Sequence, residues 1–155
     1  MNILVLCTGN SARSILLESL LNALGQGRIR AYSAGSQPAG RVHPEALALL
    51  KRRGLPHASA RSKSWDEFAV PDAPQMQAVI TVCGSAAAET CPLWPGTPVR
   101  GHWGVEDPAA ATDQVGAFAA AFIILKDRAQ AFLALAPETM NHDDLRQAIT
   151  KIGSL

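Results

Sequence analysis

Hydrophobic residues follow two patterns along the chain: short continuous runs, and stretches in which they recur every three or four positions. The continuous runs predict β-strands at 2–6, 28–33, 78–82 and 97–103. The helical spacing predicts α-helices at 12–24, 45–53, 112–135 and 143–152. Ser64 is predicted to cap a short helix that reaches Phe68. Because strands and helices alternate, we expect an α/β fold, a parallel sheet with helices on both faces.

Composition narrows the class of protein. The 155 residues are 48 % hydrophobic and 17 % charged, which predicts one domain spanning 1–155. A formal net charge of +1 gives no bulk attraction to nucleic acid or to an anionic membrane. No signal-peptide pattern is present, and the longest hydrophobic run, 115–125, is too short to span a bilayer. We expect a cytoplasmic protein whose three cysteines are free or catalytic.

The sequence CTGNSARS joins the first predicted strand to the first predicted helix. Its small residues let backbone N–H groups converge, and the helix N-terminus adds unpaired N–H groups and a partial positive charge. Such a loop is typical of a site for a tetrahedral oxyanion, and an arginine at its end can hold two oxygens at once. The predicted oxyanion-binding residues are Thr8, Gly9, Asn10, Ser11, Ala12 and Arg13.

Cys7 is the candidate nucleophile at the start of this loop. The helix terminus and Arg13 favour its thiolate, and the spacing lets Ser14 donate a hydrogen bond to the sulfur. A thiolate beneath a bound oxyanion is aligned to attack the central atom. The alternative is a buried structural cysteine beside a solvated arginine, which explains fewer of these features together.

Two more candidates follow predicted strands. Cys83 comes directly after the third strand, so we expect it on the same sheet edge as Cys7. Asp107, with Pro108 behind it, follows the fourth strand and offers a carboxyl group that can protonate a leaving oxygen. The alternative for Asp107 is a turn residue that caps the next helix. The four histidines show no metal-site spacing, so no metal site is predicted.

Six motifs carry a family resemblance. They are LCTGNSARS, AYSAGS, SKSWDEF, VITVCG, ETCPLWPG and HWGVEDPAA. Together they resemble the low-molecular-weight tyrosine phosphatase superfamily and, within it, the bacterial arsenate reductases. The resemblance implies a three-layer fold with a four-stranded parallel sheet, and the reduction of arsenate to arsenite. Phosphatase and reductase share the first attack on the oxyanion, but a reductase needs another thiol for the second step.

The resemblance assigns that second step to the two later cysteines. Cys83 would attack the Cys7–arsenic adduct, arsenite would leave, and Cys91 would then form a disulfide with Cys83. No tightly bound cofactor is implied, and an external thiol donor, either thioredoxin or glutathione with glutaredoxin, would supply the electrons. The alternative is that Cys83 and Cys91 are small packing residues.

Two departures from the family pattern concern the donor. Ala12 stands where many relatives carry a second loop cysteine, which is not the nucleophile. The interval from Cys83 to Cys91 is one residue longer than in the thioredoxin-coupled form and resembles a proteobacterial branch that uses glutaredoxin. The identity of the donor is therefore left open.

The resemblance also implies a monovalent cation site. Its ligands would be Asn10, Glu18, Ser33 and Asp66. From the sequence alone, Asn10 would instead hold the shape of the loop, and Glu18 would be a solvated helix residue.

Two other functions compete with arsenate reduction. A phosphotyrosine phosphatase would set aromatic residues beside Asp107, where this chain has Ala109, Ala110 and Ala111. A non-enzymatic oxyanion sensor would use the same loop and would not need a nucleophile at Cys7.

Overall fold

Four parallel strands form one sheet in the computed structural model, which describes residues 1–89, 92 and 94–155. The strands are β1 (Asn2–Cys7), β2 (Arg30–Gly35), β3 (Ala78–Thr81) and β4 (Val99–His102). They lie in the order β2-β1-β3-β4, and each neighbouring pair is parallel. The expected four-stranded parallel α/β sheet is therefore confirmed.

Five α-helices and three 3-10 segments connect and cover the strands. The α-helices are α1 (Arg13–Leu24), α2 (Pro44–Arg52), α3 (Gly84–Ala88), α4 (Gln114–Ala134) and α5 (His142–Gly153). The 3-10 segments are Trp65–Phe68, Pro108–Ala110 and Pro137–Thr139. The Ser64 side chain caps the first of these segments, as predicted, by accepting a hydrogen bond from the Asp66 amide. None of the helices in the described part of the chain is long and apolar enough to cross a bilayer.

All four strands differ from the predicted bounds by one or two residues, and β2 also begins two residues later than predicted, at Arg30. Two of the differences have a clear physical reason. Strand β2 runs two residues further, to Gly35, because its last two residues pair with the end of β1, where Gly35 faces Cys7. Strand β4 begins at Val99 instead of Thr97, because Thr97 has a left-handed backbone with φ of 48° and Pro98 has no amide to donate.

Alternating side chains of β1 belong to two separate hydrophobic clusters. Ile3 and Val5 belong to the larger cluster, which also contains residues of α1, α2, α4 and α5. Leu4 and Leu6 belong to the smaller cluster, which is closed by Phe68, Met76 and Trp94. Helical segments therefore cover both faces of the sheet, but not equally. Helices α1, α2, α4 and α5 pack in the larger cluster, and the 3-10 segment Trp65–Phe68 packs in the smaller one.

The pairing of β1 with β3 positions the candidate site. Leu6 lies opposite Thr81 in register, so Cys7 and Cys83 both emerge at the carboxyl edge of adjacent strands. Strand β1 has β2 on its other side, which makes this edge a switch point in the strand order. Ligands of open parallel sheets bind at such points.

Candidate active site

A buried asparagine, Asn10, fixes the conformation of the loop between β1 and α1. Asn10 is fully buried and has a left-handed backbone with φ of 45°. Its Nδ2 donates to Ser14 Oγ at 2.9 Å, and its Oδ1 accepts from the backbone N–H of Lys63, also at 2.9 Å. Asparagine tolerates the left-handed conformation better than most residues do, and these two bonds fix it there.

The carbonyl groups of the loop are turned away from the pocket, towards the segment 37–43. The carbonyl oxygens of Thr8, Gly9 and Ser11 do not face the pocket. They accept hydrogen bonds from the backbone amides of Gln37, Ala39 and His43, at 3.0, 2.9 and 2.9 Å respectively. No hydrogen bond joins the loop amides of residues 9–12 to another described residue. Those N–H groups remain available to a bound anion.

Arg13 closes one side of the same pocket. Its Nη1 donates to the Val105 carbonyl at 2.8 Å, and its Nη2 lies 3.9 Å from Asp107 Oδ2. Its Nε is buried and has no hydrogen-bond partner among the described residues. A buried donor without a partner is costly, and an oxyanion in the pocket would satisfy it.

Asp107 serves two purposes at once. Its Oδ1 accepts from the Ala109 amide at 3.0 Å and so caps the 3-10 segment Pro108–Ala110. Its Oδ2 faces Arg13, and its side chain is 47 % exposed, which leaves the carboxyl group free to exchange protons with water. The capping role and the site role considered for this residue are therefore compatible.

Cys83 lies close to Cys7 and begins α3. Its sulfur accepts from the Ala86 amide at 3.4 Å and lies 3.6 Å from Thr8 Oγ1. The Thr8 hydroxyl also donates to Glu89 Oε1 at 3.2 Å. Both cysteines are buried and free. In the sequence, strands β2 and β3 lie between them.

The two thiols share a hydrogen bond that sets their ionisation. The bond from Cys7, reinforced by the amide of Ala86, lowers the pKa of Cys83 from 9.0 to about 5. The same bond, together with burial, raises the pKa of Cys7, even though the charge of Arg13 and the Thr8 amide act in the opposite direction. The two thiols are therefore coupled, so that the protonation of one depends on that of the other.

Two influences on the pKa of Cys7 were not expected from the sequence. The interaction with Cys83 and burial both raise this pKa, whereas Arg13, which was expected to favour the thiolate, lowers it as a lesser cause. The sequence pattern contains no sign that a second sulfur would donate to, or accept from, the first. The shared proton is a property of the fold, which brings Cys83 to Cys7.

One pocket of about 450 Å³ collects most of the predicted site residues. It is lined by Cys7, Thr8, Gly9, Asn10, Ser11, Ala12, Arg13, Cys83, Gly84, Ser85, Asp107 and Ala109. Ser14 lies outside it, fully buried, with Asn10 as its hydrogen-bond partner. The predicted bond from Ser14 to the Cys7 sulfur is not among those of the described residues, in which the Ser14 hydroxyl accepts a hydrogen bond from Asn10 Nδ2. Cys91 lies outside the described residues.

The sequence interpretation missed a buried ion pair beside the loop. Glu18, expected to be solvated, has a side chain only 18 % exposed and lies 3.9 Å from Lys63 Nζ, whose side chain is 7 % exposed. A lysine between two serines is typical of a surface loop, so the local sequence does not indicate that Lys63 is buried.

Comparisons with known proteins agree with this geometry. A family model described as "Low molecular weight phosphotyrosine protein phosphatase" matches residues 2–146. The arsenate reductase of Bacillus subtilis (strain 168) is 36 % identical over 106 residues, which cover 68 % of this chain and 73 % of that protein. Within the part of the chain that the structure describes, no group of three or more His, Cys, Asp or Glu side chains is placed to hold a metal ion.

Solved structures show the same similarity. One described as "An arsenate reductase in the phosphate binding state" is 27 % identical with a TM-score of 0.72, over 86 % of this chain and 97 % of that one. A low-molecular-weight protein tyrosine phosphatase from T. tengcongensis is 22 % identical with a TM-score of 0.70, over 87 % of this chain and 99 % of that one. The second similarity shows a shared fold.

Proposed function

The chain belongs to the low molecular weight phosphotyrosine protein phosphatase family, and we propose that within it the chain is a thiol-dependent arsenate reductase. Its curated relatives are arsenate reductases, and arsenate shares the charge and tetrahedral shape of phosphate. The observation that carries the proposal is the second buried thiol, Cys83, which is free and lines the same pocket as Cys7 and the oxyanion loop. Hydrolysis of a phosphate ester does not use such a thiol, whereas reduction requires one.

Arsenate binds first, between the loop amides and Arg13. The unpaired N–H groups of residues 9–12 receive its oxygens, and the free Nε of Arg13 gives a further charged hydrogen bond. This arrangement places the arsenic atom over the Cys7 sulfur, which lies at the base of the same pocket.

The first chemical step forms a bond from sulfur to arsenic. The proton shared by the two thiols passes from Cys7 to Cys83, and the Cys7 thiolate attacks arsenic. One arsenate oxygen leaves as water after it receives a proton from Asp107. Arsenic remains in the +5 state at this stage, because the step exchanges oxygen for sulfur without transferring electrons.

The second step transfers two electrons. Cys83 gives its proton to an oxygen of the departing arsenic group and attacks the Cys7 sulfur, so that a Cys7–Cys83 disulfide forms as the sulfur–arsenic bond breaks. The electron pair of that bond stays on arsenic, which leaves as arsenite in the +3 state. The lowered pKa of Cys83 favours the attacking thiolate.

Regeneration of the enzyme involves the third cysteine and an external donor. Cys91 attacks Cys83 and frees Cys7, and the resulting Cys83–Cys91 disulfide is reduced by thioredoxin, or by glutathione with glutaredoxin. Both donors work by thiol–disulfide exchange, and Cys83, although buried, lines a pocket that an attacking thiol can enter.

Phosphotyrosine hydrolysis is less well supported as the activity. The residues that line the pocket beside Asp107 include Ala109 and Ser85, and none of the described lining residues is aromatic. A phenyl ring would bury little surface against such small side chains. The chemistry of the first step still allows slow turnover of small aryl phosphates.

The test is arsenite formation by the purified chain with the thioredoxin and glutaredoxin systems run in parallel, and with para-nitrophenyl phosphate as the phosphatase control. The parent is expected to form arsenite with at least one donor system. Cys7→Ser is expected to abolish turnover while part of the arsenate binding is kept, and a Cys7→Ser variant that works at the parent rate contradicts the assignment and favours an oxyanion sensor.

A second variant separates the internal relay from the first step. Cys83→Ser is expected to lose arsenite formation with both donor systems but to keep its slow hydrolysis of para-nitrophenyl phosphate. Hydrolysis needs no second thiol, and loss of the Cys83 thiol removes the largest cause that raises the pKa of the Cys7 nucleophile. Restoration of arsenite formation in Cys83→Ser by added glutathione would show that an external thiol, and not Cys83, performs the second attack.

A further inference from the structure

A buried ammonium group lies directly behind the oxyanion loop. The Nζ of Lys63 donates to the Arg61 carbonyl at 3.0 Å and to Ser33 Oγ at 3.4 Å, and it lies 3.9 Å from Glu18 Oε2. Lysine is rarely buried, and a buried charge needs charged or hydrogen-bonding partners. The mechanism above does not use this group, so its position needs another explanation.

These contacts occupy the place where the family resemblance implies a monovalent cation. Two of the four expected ligands, Glu18 and Ser33, are already partners of the Lys63 ammonium. A third, Asn10, already accepts the Lys63 backbone N–H with its Oδ1. The fourth, Asp66, is an exposed residue of the 3-10 segment Trp65–Phe68. The residues present do not fit a metal cation, because the positive charge of the site is already covalently attached to the chain.

We propose that Lys63 is a built-in cation that replaces a bound monovalent ion and holds the oxyanion loop in its anion-binding shape. Its ammonium group neutralises Glu18, and its backbone binds the loop through Asn10. This inference concerns the support of the pocket and goes beyond the proposed activity.

The connection from the ammonium group to the loop runs through short hydrogen bonds. The Lys63 amide donates to Asn10 Oδ1 at 2.9 Å, and the Lys63 carbonyl accepts from the Gly35 amide at 2.9 Å at the end of β2. The side chain of Lys63 donates a hydrogen bond to the hydroxyl of Ser33, which is also part of β2. A displacement of residue 63 would therefore move Asn10, the one non-glycine residue of the loop with a left-handed backbone.

Each member of the pair partly offsets the effect of burial on the pKa of the other. Burial raises the pKa of Glu18, while the charge of Lys63 and a hydrogen bond from Ser33 act against that rise. Burial lowers the pKa of Lys63, and the Glu18 carboxylate acts against that fall. Removal of the ammonium alone leaves a carboxylate with little access to water, and a small cation that enters the vacated space can take its place.

The experiment compares thermal unfolding of the parent and of Lys63→Ala in potassium chloride, sodium chloride and choline chloride at equal ionic strength. The parent is expected to give one Tm in all three salts. Lys63→Ala is expected to melt roughly 5–10 °C lower in choline chloride and to recover part of that loss saturably with potassium or sodium. Lys51→Ala, which removes an exposed lysine of α2, is the matched control and is expected to behave like the parent.

Two further variants keep the test decisive if Lys63→Ala is too unstable to purify. Glu18→Gln leaves the ammonium unpaired, so it is expected to lower Tm in all three salts with no recovery by potassium. The double variant Lys63→Ala with Glu18→Gln carries no net charge at the site and is expected to show no dependence on the cation. A parent whose Tm rises with potassium over choline, or a Lys63→Ala variant that melts like the parent in every salt, overturns the proposal.

Binding of inorganic phosphate, measured by calorimetry, reports on the loop itself. Lys63→Ala is expected to bind phosphate about tenfold more weakly in choline chloride and to regain affinity in potassium chloride, whereas Lys51→Ala is expected to bind as the parent does. A merely structural role of the lysine would give no recovery with potassium. Neither Tm nor phosphate binding requires turnover, so failure of the proposed reductase activity leaves this test intact.

Discussion

The Oγ1 atom of Thr8 lies 3.6 Å from the sulfur of Cys83, although the two residues are 75 positions apart in the chain. Thr8 belongs to the oxyanion loop, and Cys83 begins a helix after the neighbouring strand. One hydroxyl proton is available to Thr8, and it can be directed either to the sulfur or to Glu89 Oε1 at 3.2 Å. The loop that we propose binds the oxyanion is thereby connected to the thiol that we propose completes the reduction.

Loss of that hydroxyl should weaken the Cys83 thiolate. The hydroxyl is one of the causes that lower the pKa of Cys83 to about 5, so the thiolate predominates above that pH and is lost as the pH falls through it. Thr8→Val removes the donor and is expected to move this transition to higher pH, with alkylation of Cys83 by iodoacetamide about tenfold slower at pH 6.

Thr8→Ser is the control, because it keeps the hydroxyl and is expected to retain the parent profile. The measurement is the rate of iodoacetamide labelling against pH, with the Cys83 peptide identified by mass spectrometry. If the labelling profile of Thr8→Val is the same as that of the parent, the low pKa of Cys83 is due to Cys7 and α3 alone.

Asp107→Asn should slow the first chemical step without weakening arsenate binding. The amide keeps the cap on Ala109 but has no proton to give to the leaving oxygen. We expect kcat to fall by about 10²–10⁴ with KM changed by less than about threefold. Steady-state arsenite formation measures both constants. A large rise in KM with kcat unchanged would show that Asp107 acts only on the position of Arg13.

Arg13→Lys should bind phosphate more weakly than the parent, although it keeps the positive charge. The guanidinium donates to Val105 and still has Nε free for the anion, whereas one ammonium group cannot do both. Loss of one charged hydrogen bond, about 1.5–3 kcal/mol, corresponds to roughly 10–150-fold in the dissociation constant for phosphate. Calorimetry with phosphate tests this, and Arg13→Ala provides the lower limit. Equal affinity for the parent and Arg13→Lys would mean that charge alone holds the anion.

Gly35→Ala should destabilise the protein by displacing the start of the loop. A methyl group at this position would overlap the Thr8 carbonyl and lie 2.8 Å from the Cys7 carbonyl. Overpacking against backbone costs about 1–3 kcal/mol, which lowers Tm by roughly 3–10 °C in a protein of this size. Gly84→Ala is the control, because a methyl group there meets nothing within 4 Å. Equal Tm values for the two variants would contradict the close approach of β2 to the loop.

Much of the scaffold follows from local patterns. The run 2–6 and the helical spacing after it predict β1 and α1 within one residue at each boundary, because both elements are buried and bounded by small residues. The parallel arrangement then places Cys7 and Cys83 at one edge without any knowledge of side-chain contacts.

The main features that the sequence did not predict depend on partners distant in the chain. Glu18 is on the helix face that a periodic pattern assigns to solvent, but its side chain is only 18 % exposed and lies 3.9 Å from Lys63 Nζ, 45 positions away. The proton that Cys7 shares with Cys83 likewise depends on a contact between strands. Neither a spacing nor a composition encodes such a contact.

The adjacency of β1 and β3 bears on how this chemistry arises. Main-chain hydrogen bonds between these strands set the separation of the two sulfurs, so surface substitutions leave it intact. In any chain that pairs these two strands in the same way, a residue at the end of β3 lies next to a residue at the end of β1. A fold that presents one cysteine to an oxyanion therefore also offers a place beside it for a second sulfur.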